Sequence, residues 1–200
     1  MVAGALLGGF ACEGERPPPT PAASSPAPSP ATPSEYVQDA LSALQSGGIP
    51  PAPLGAESTR QERKDYLLAV ERVSRALEGL LRAQGAREVP PPSLIPPARM
   101  EEVLALGRVL AVELADAVDG GDTERASRVL RMAYRYTDFA GSESIASALC
   151  AEGITEVLAQ GLYSVRKQMD GELARQLVEV INDLLQQPYP IEDVISHELE

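Results

Sequence analysis

Apolar residues recur at steps of three and four along six stretches of this chain, the spacing that gathers them on one face of an α-helix. The first stretch is short. Val37, Leu41 and Leu44 predict a helix over 35–45, capped by Ser34 and stopped by Gly47-Gly48. A proline-broken connector from Ile49 to Gly55 follows. The next stretch predicts one long helix over 59–84. Thr59 with Glu62 three residues on forms a capping box, and Gly85 stands where a helix stop belongs. Tyr66, Val70, Val73, Leu77, Leu80 and Gln84 lie on one stripe of it. Such a stripe is also the seam of a coiled coil, so self-association through it is one expectation.

Pro90 to Pro92 and Pro96-Pro97 interrupt the pattern. It resumes over 99–118 with Val103, Gly107, Leu110, Leu114 and Ala117, widened by Leu104, Leu106 and Val109. A helix apolar on more than one side belongs at the centre of the fold. Gly120-Gly121 turns the chain, and Asp122 caps a helix over 123–140 whose inner face is read as Ala126, Leu130, Ala133 and Thr137. The helix over 143–167 carries Ile145, Leu149, Ile154, Val157, Leu158, Leu162 and Val165 among many alanines and glycines, which let helix axes approach closely. Leu173, Leu177, Val180 and Leu184 predict a helix over 171–187, ended by Pro188. Pro190, with Glu192 and Asp193 in the turn after it, starts another, which stops at Glu200 within about three turns. A frayed terminal helix and a reading frame that continues beyond Glu200 both account for that.

Composition fixes the class. Apolar residues make up 44% of the 200, enough for a core, while aromatics are 4% and Trp is absent. An aliphatic, alanine-rich core suits helices, since strands favour β-branched and aromatic side chains. The expected architecture is all-α, with antiparallel helical hairpins over 57–200 and a short helix with its connector over 35–56. The net charge of −12 argues against nucleic acid as a partner, because phosphate binding needs clustered Lys and Arg.

Residues 1–12 and 13–34 are of a different kind. Val2 to Ala11 are uncharged and apolar, and the chain turns polar directly after Cys12. This resembles the end of a bacterial lipoprotein signal peptide. The resemblance implies cleavage before Cys12 and attachment of lipid to its sulfur. Ala11 fits that pattern; Gly9 stands where such signals usually carry Leu. No Lys or Arg precedes the apolar run, so a start upstream of Met1 is expected. The segment is shorter than the roughly 20 apolar residues of a membrane span, which leaves the Cys12 lipid as the only membrane contact. An ordinary cleaved signal ending at Gly9-Phe10-Ala11 would give a periplasmic or secreted protein instead, and an uncleaved start a cytoplasmic one. Pro17 to Pro33 reads as an extended, solvated spacer, because proline removes donors and Ala and Ser build no core.

Gly121-Asp122 followed by Ala126, Leu130 and Ala133 is similar to the second-helix half of a tetratricopeptide repeat. The first-helix half departs from it, with Glu113-Leu114 in place of the Leu-Gly pair, Ala117 in place of Tyr, and Asp138 at the closing Pro. No second copy follows at a 34-residue period. The resemblance covers about 15 residues and implies hairpins of tetratricopeptide kind, or an irregular bundle. More broadly, the chain resembles uncharacterised exported helical proteins of bacteria, a likeness that implies no activity.

Chemistry is sparse. The two cysteines, Cys12 and Cys150, are far apart in sequence, and a single His (His197) rules out the usual Cys/His zinc cages. Cys150 reads as a small buried hydrophobe. Glu152 and Glu156 lie one helical turn apart but lack the Glu-x-x-His partners of a di-metal bundle. Ser142, Ser144 and Ser147 have no base, and Ser142 reads as a helix cap. No catalytic, cofactor or metal residue is assigned. Arg128, Arg131 and Arg135 form the one candidate interaction face, falling within about 60° on their helix. They suit an acidic partner or a phosphate-bearing ligand; the alternative is a solvated back face paired with nearby carboxylates. The expected function is a non-enzymatic protein-binding or scaffolding module tethered to the bacterial cell envelope, its partner a protein or an envelope component. The alternatives are an enzyme or enzyme subunit whose catalytic part lies outside this chain, and a self-associating bundle.

Overall fold

The computed structural model describes residues 32–48, 50–83, 99–141 and 144–186. These form α1 (Pro33–Gly47), α2 (Arg60–Ala69), α3 (Glu71–Glu78), a 3-10 turn (Gly79–Leu81), α4 (Met100–Asp119), α5 (Thr123–Gly141), α6 (Ile145–Ser164) and α7 (Gly171–Leu185). No strand occurs among the described residues, and the architecture is the all-α set of packed hairpins that the periodicity predicts. Residues 1–31, with Cys12 and most of the spacer, lie outside the description, as do Gln84, the clusters Pro90–Pro92 and Pro96-Pro97, Ser142, Pro188, Pro190 and His197.

The helix starts follow from orphan amides that need acceptors. Thr32, not Ser34, caps α1: its backbone N–H donates to Glu35 at 2.8 Å while its hydroxyl accepts from the Glu35 amide, with Pro33 in the first turn. The cap is thus two residues earlier than expected, because Thr-Pro-Ser-Glu offers a full capping box and Ser34 offers half of one. Thr59 and Glu62 form the predicted box on α2. Ser144 caps α6 with Ser147, and Asp170 caps α7 through the Leu173 amide.

The expected helix over 59–84 is broken. Val70 has ψ of 18°, the helix restarts at Glu71, and Gly79–Leu81 tightens to a 3-10 turn. The break lets α2 lie against α4 while α3 lies against α1, which one straight rod would not do. Tyr66, Val70, Val73, Leu77 and Leu80 are all buried in the chain's own core. The seam offered for self-association is therefore already covered from within.

α4 is central, as its wide apolar face implies. Nearly everything from Val103 to Val118 is buried, and α5 and α6 pack along it. Gly121, at φ of +67°, closes a Schellman turn in which the Asp122 amide donates to the Ala117 carbonyl and the Gly121 amide to that of Val118, each at 3.0 Å. Asp122 then caps α5 through the Arg125 amide, so this short turn folds α5 back on α4. The inner face of α5 is rotated from expectation: Ala126 and Ala133 are buried with Val129, Met132, Tyr136 and Phe139, while Leu130 and Thr137 are half-buried. Tyr136 is the pivot, wholly buried and donating to the Val103 carbonyl at 2.8 Å.

α6 also corrects its stripe. Leu149 is 62% exposed. It stands five residues before Ile154, which is about 140° round the helix, and Ile154 is what faces α4. A Cβ on Gly107 would meet Ile154 at 3.2 Å, and one on Gly161 would meet the Ala111 carbonyl at 2.8 Å. Close approach through small residues sets the rotation of α6, and a large side chain at 149 has no part in it.

Candidate functional site

α5 buries its Val129, Met132, Tyr136 side, and Arg128, Arg131 and Arg135 run along the flank of that face, where all three are exposed. α7 packs beside α5, presenting Gln176, Val180, Asp183 and Leu184, and Leu81 of the 3-10 turn closes the end. The result is an open groove of about 900 Å³ along α5. The three sequence-predicted arginines all line it, beside Ser127 and Tyr134.

Arg135 is anchored, its guanidinium donating to the Leu80 carbonyl at 2.8 Å. All three arginines are solvated, as the back-face alternative also expects, and only the carboxylate pairing of that alternative is lacking. Among the described residues none of the three arginines forms an ion pair, although Glu124 and Asp183 share the lining. Arg125, three residues before Arg128, is the contrast. It turns inward to Asp116 at 2.7 Å and Glu113 at 3.7 Å on α4.

That inward pairing belongs to a charged cluster the sequence reading missed. Glu113 and Asp116 are buried on α4, and Arg60 approaches Asp116 at 3.8 Å. Arg63, also buried, pairs with Asp119 and donates to the Ser58 carbonyl at 2.8 Å. Burial pushes the Glu113 carboxyl above its ordinary value, against the pull of Arg125. The signal was present, since two acids interrupt the apolar run from Val103 to Val118. The cluster ties α2, α4 and α5 together and is already neutralised by its own arginines.

A second hollow, about 590 Å³, lies between Pro50-Pro51, Tyr66 and the first half of α4. Its arginine, Arg108, is already bound to Glu101 at 2.6 Å. Tyr66, pushed up to about 12 by burial, stays a neutral phenol there. The remaining candidates do not converge. Glu152 and Glu156 are exposed on α6, and Ser144 and Ser147 are engaged in capping. Cys150 is buried with a free thiol that burial pushes up, which makes it unreactive. Among the described residues no group of His, Cys, Asp and Glu is placed to hold a metal, and no helix is long and apolar enough to cross a membrane.

Compared with protein-family models, curated proteins and solved structures, the chain matches none.

Proposed function

We propose that this chain is a non-enzymatic protein-binding module, held at the bacterial cell envelope through lipid on Cys12, whose docking surface is the α5–α7 groove. One observation carries the docking reading. In a chain of net charge −12, three arginines line one groove, and among the described residues no carboxylate forms an ion pair with them. Arg128 and Arg131 are left in water and keep their capacity for carboxylates, while Arg135 also donates to the Leu80 carbonyl; Arg is the side chain best shaped to bind carboxylates in pairs. An acidic protein segment is the complement. The overall negative charge would steer other acidic surfaces away, so a partner must present its carboxylates locally.

The reading is tested with the full chain and a fluorescent decaglutamate peptide. Binding that weakens steeply with added salt, and that falls at least tenfold in the Arg128→Gln, Arg131→Gln double variant, is the expected result. Binding untouched by these substitutions, or no binding at all at low salt, would overturn it.

A further inference from the structure

The groove has the period of a helix seam. Ser127, Arg131 and Tyr134 line it from α5 at steps of four and three, and Gln176, Val180 and Leu184 from α7 at steps of four. Along α5 it extends from Thr123 to Arg135, a rise of about 18 Å over the intervening steps at 1.5 Å each. Two neighbouring helices with such ridges form the cleft into which a third helix packs.

The chemistry of the walls is equally directional. Arg128, Arg131 and Arg135 rise along α5 by about 4.5 and 6 Å, the spacing of residues three and four apart on a helix lying alongside. Leu81, Val180 and Leu184 supply apolar contact beside them. We propose that the occupant is an amphipathic acidic helix of about three turns from a partner protein. Its carboxylates, three and four residues apart, face the arginines, and its apolar stripe lies on Leu81, Val180 and Leu184. This rests on the reading of the groove as a docking site for an acidic segment, and adds the conformation and register of that segment.

Two labelled 14-residue peptides of identical composition test it, one with Glu and Leu in helical register and one scrambled to break the register, titrated into the full chain at low salt. The registered peptide is expected to bind at least tenfold tighter than the scrambled one. It is also expected to gain helical circular dichroism on binding, and to lose tenfold or more in affinity with Arg128→Gln plus Arg131→Gln. Both arginines are exposed, so that variant is expected to melt like the wild type. Equal binding of the two peptides, lost together in the arginine variant, would overturn the helical register and leave acidic docking standing. Binding of neither would remove both. Residues 187–200 carry Glu192, Asp193, Glu198 and Glu200 and no Lys or Arg. Replacing these four by their amides is expected to change nothing; a tenfold gain for the registered peptide would make the occupant the chain's own segment and overturn the assignment to a partner.

Discussion

Where α6 crosses α4, single methyl groups decide the stability. A side chain at Gly161 would press on the Ala111 carbonyl at 2.8 Å, and backbone does not yield as a side chain does. Gly161→Ala gains helix propensity, yet overpacking outweighs it, and a net loss of about 1–3 kcal/mol is expected in urea denaturation. Gly171, at the start of α7, is the control, with nothing within 4 Å of an added Cβ. Gly171→Ala is expected to stabilise by about 0.5 kcal/mol through loss of unfolded-chain freedom. If the two substitutions behaved alike, close approach would not be what seats α6.

At the same scale, Glu113 makes stability depend on pH. Its folded value is raised by burial above the 4.5 of an ordinary glutamate. Below that ordinary value the carboxyl is protonated in both states, and its environment favours the folded chain fully. As pH rises through the raised folded value, the buried group must ionise and that contribution is lost. Glu113→Gln, which stays neutral, is therefore expected to match the wild type at pH 4 and to exceed it at pH 7. Urea midpoints across that range check the sign, and a wild type that gained on the variant with rising pH would contradict it.

Between elements, the charged cluster does what propensity cannot. α2 is a polar helix, and its buried Arg63 bridges the Ser58 carbonyl and Asp119 at the end of α4. Arg63→Ala strands the half-buried Asp119 and removes the donor to the Ser58 carbonyl, and a cost of about 1–3 kcal/mol is expected because partly buried polar groups lose their partner. Chemical denaturation of that variant beside Arg63→Ala with Asp119→Ala would show part of the cost recovered in the double. Helix positions were legible in the sequence wherever caps and periodicity agreed, as at Thr59, Asp122 and the whole of α4. The kink at Val70 was not, because no proline or glycine marks it; α1 and α4 pull the two halves apart, and that is tertiary information. Nor was the rotation of α6, since hydrophobicity favours Leu149 while packing favours the small residues. The arginine line was legible as a face, but the groove was not, because half of its wall comes from α7 and the 3-10 turn.

For the whole molecule, anchorage and docking are separable claims. Lipid on Cys12 would hold the helical body near a membrane by way of the spacer. Expression in a bacterial host from native upstream DNA, with an alkyne fatty acid in the medium, is expected to label the wild type and recover it with membranes. The Cys12→Ala chain should remain unlabelled. Equal absence of label from both, with the chain soluble and its apolar start intact, would remove the anchor and leave the groove untouched.

The docking claim is tested most directly by exchanging charges across the groove. Arg131→Glu in the full chain should weaken the registered acidic peptide at least tenfold, and changing the facing Glu of that peptide to Lys should restore much of the loss. Rescue of this kind arises when the two groups face each other, and its size is the coupling energy of the pair. If the Lys peptide binds the Arg131→Glu chain no better than the original peptide does, the acidic segment does not lie against Arg131, and the α5–α7 groove is not the docking site.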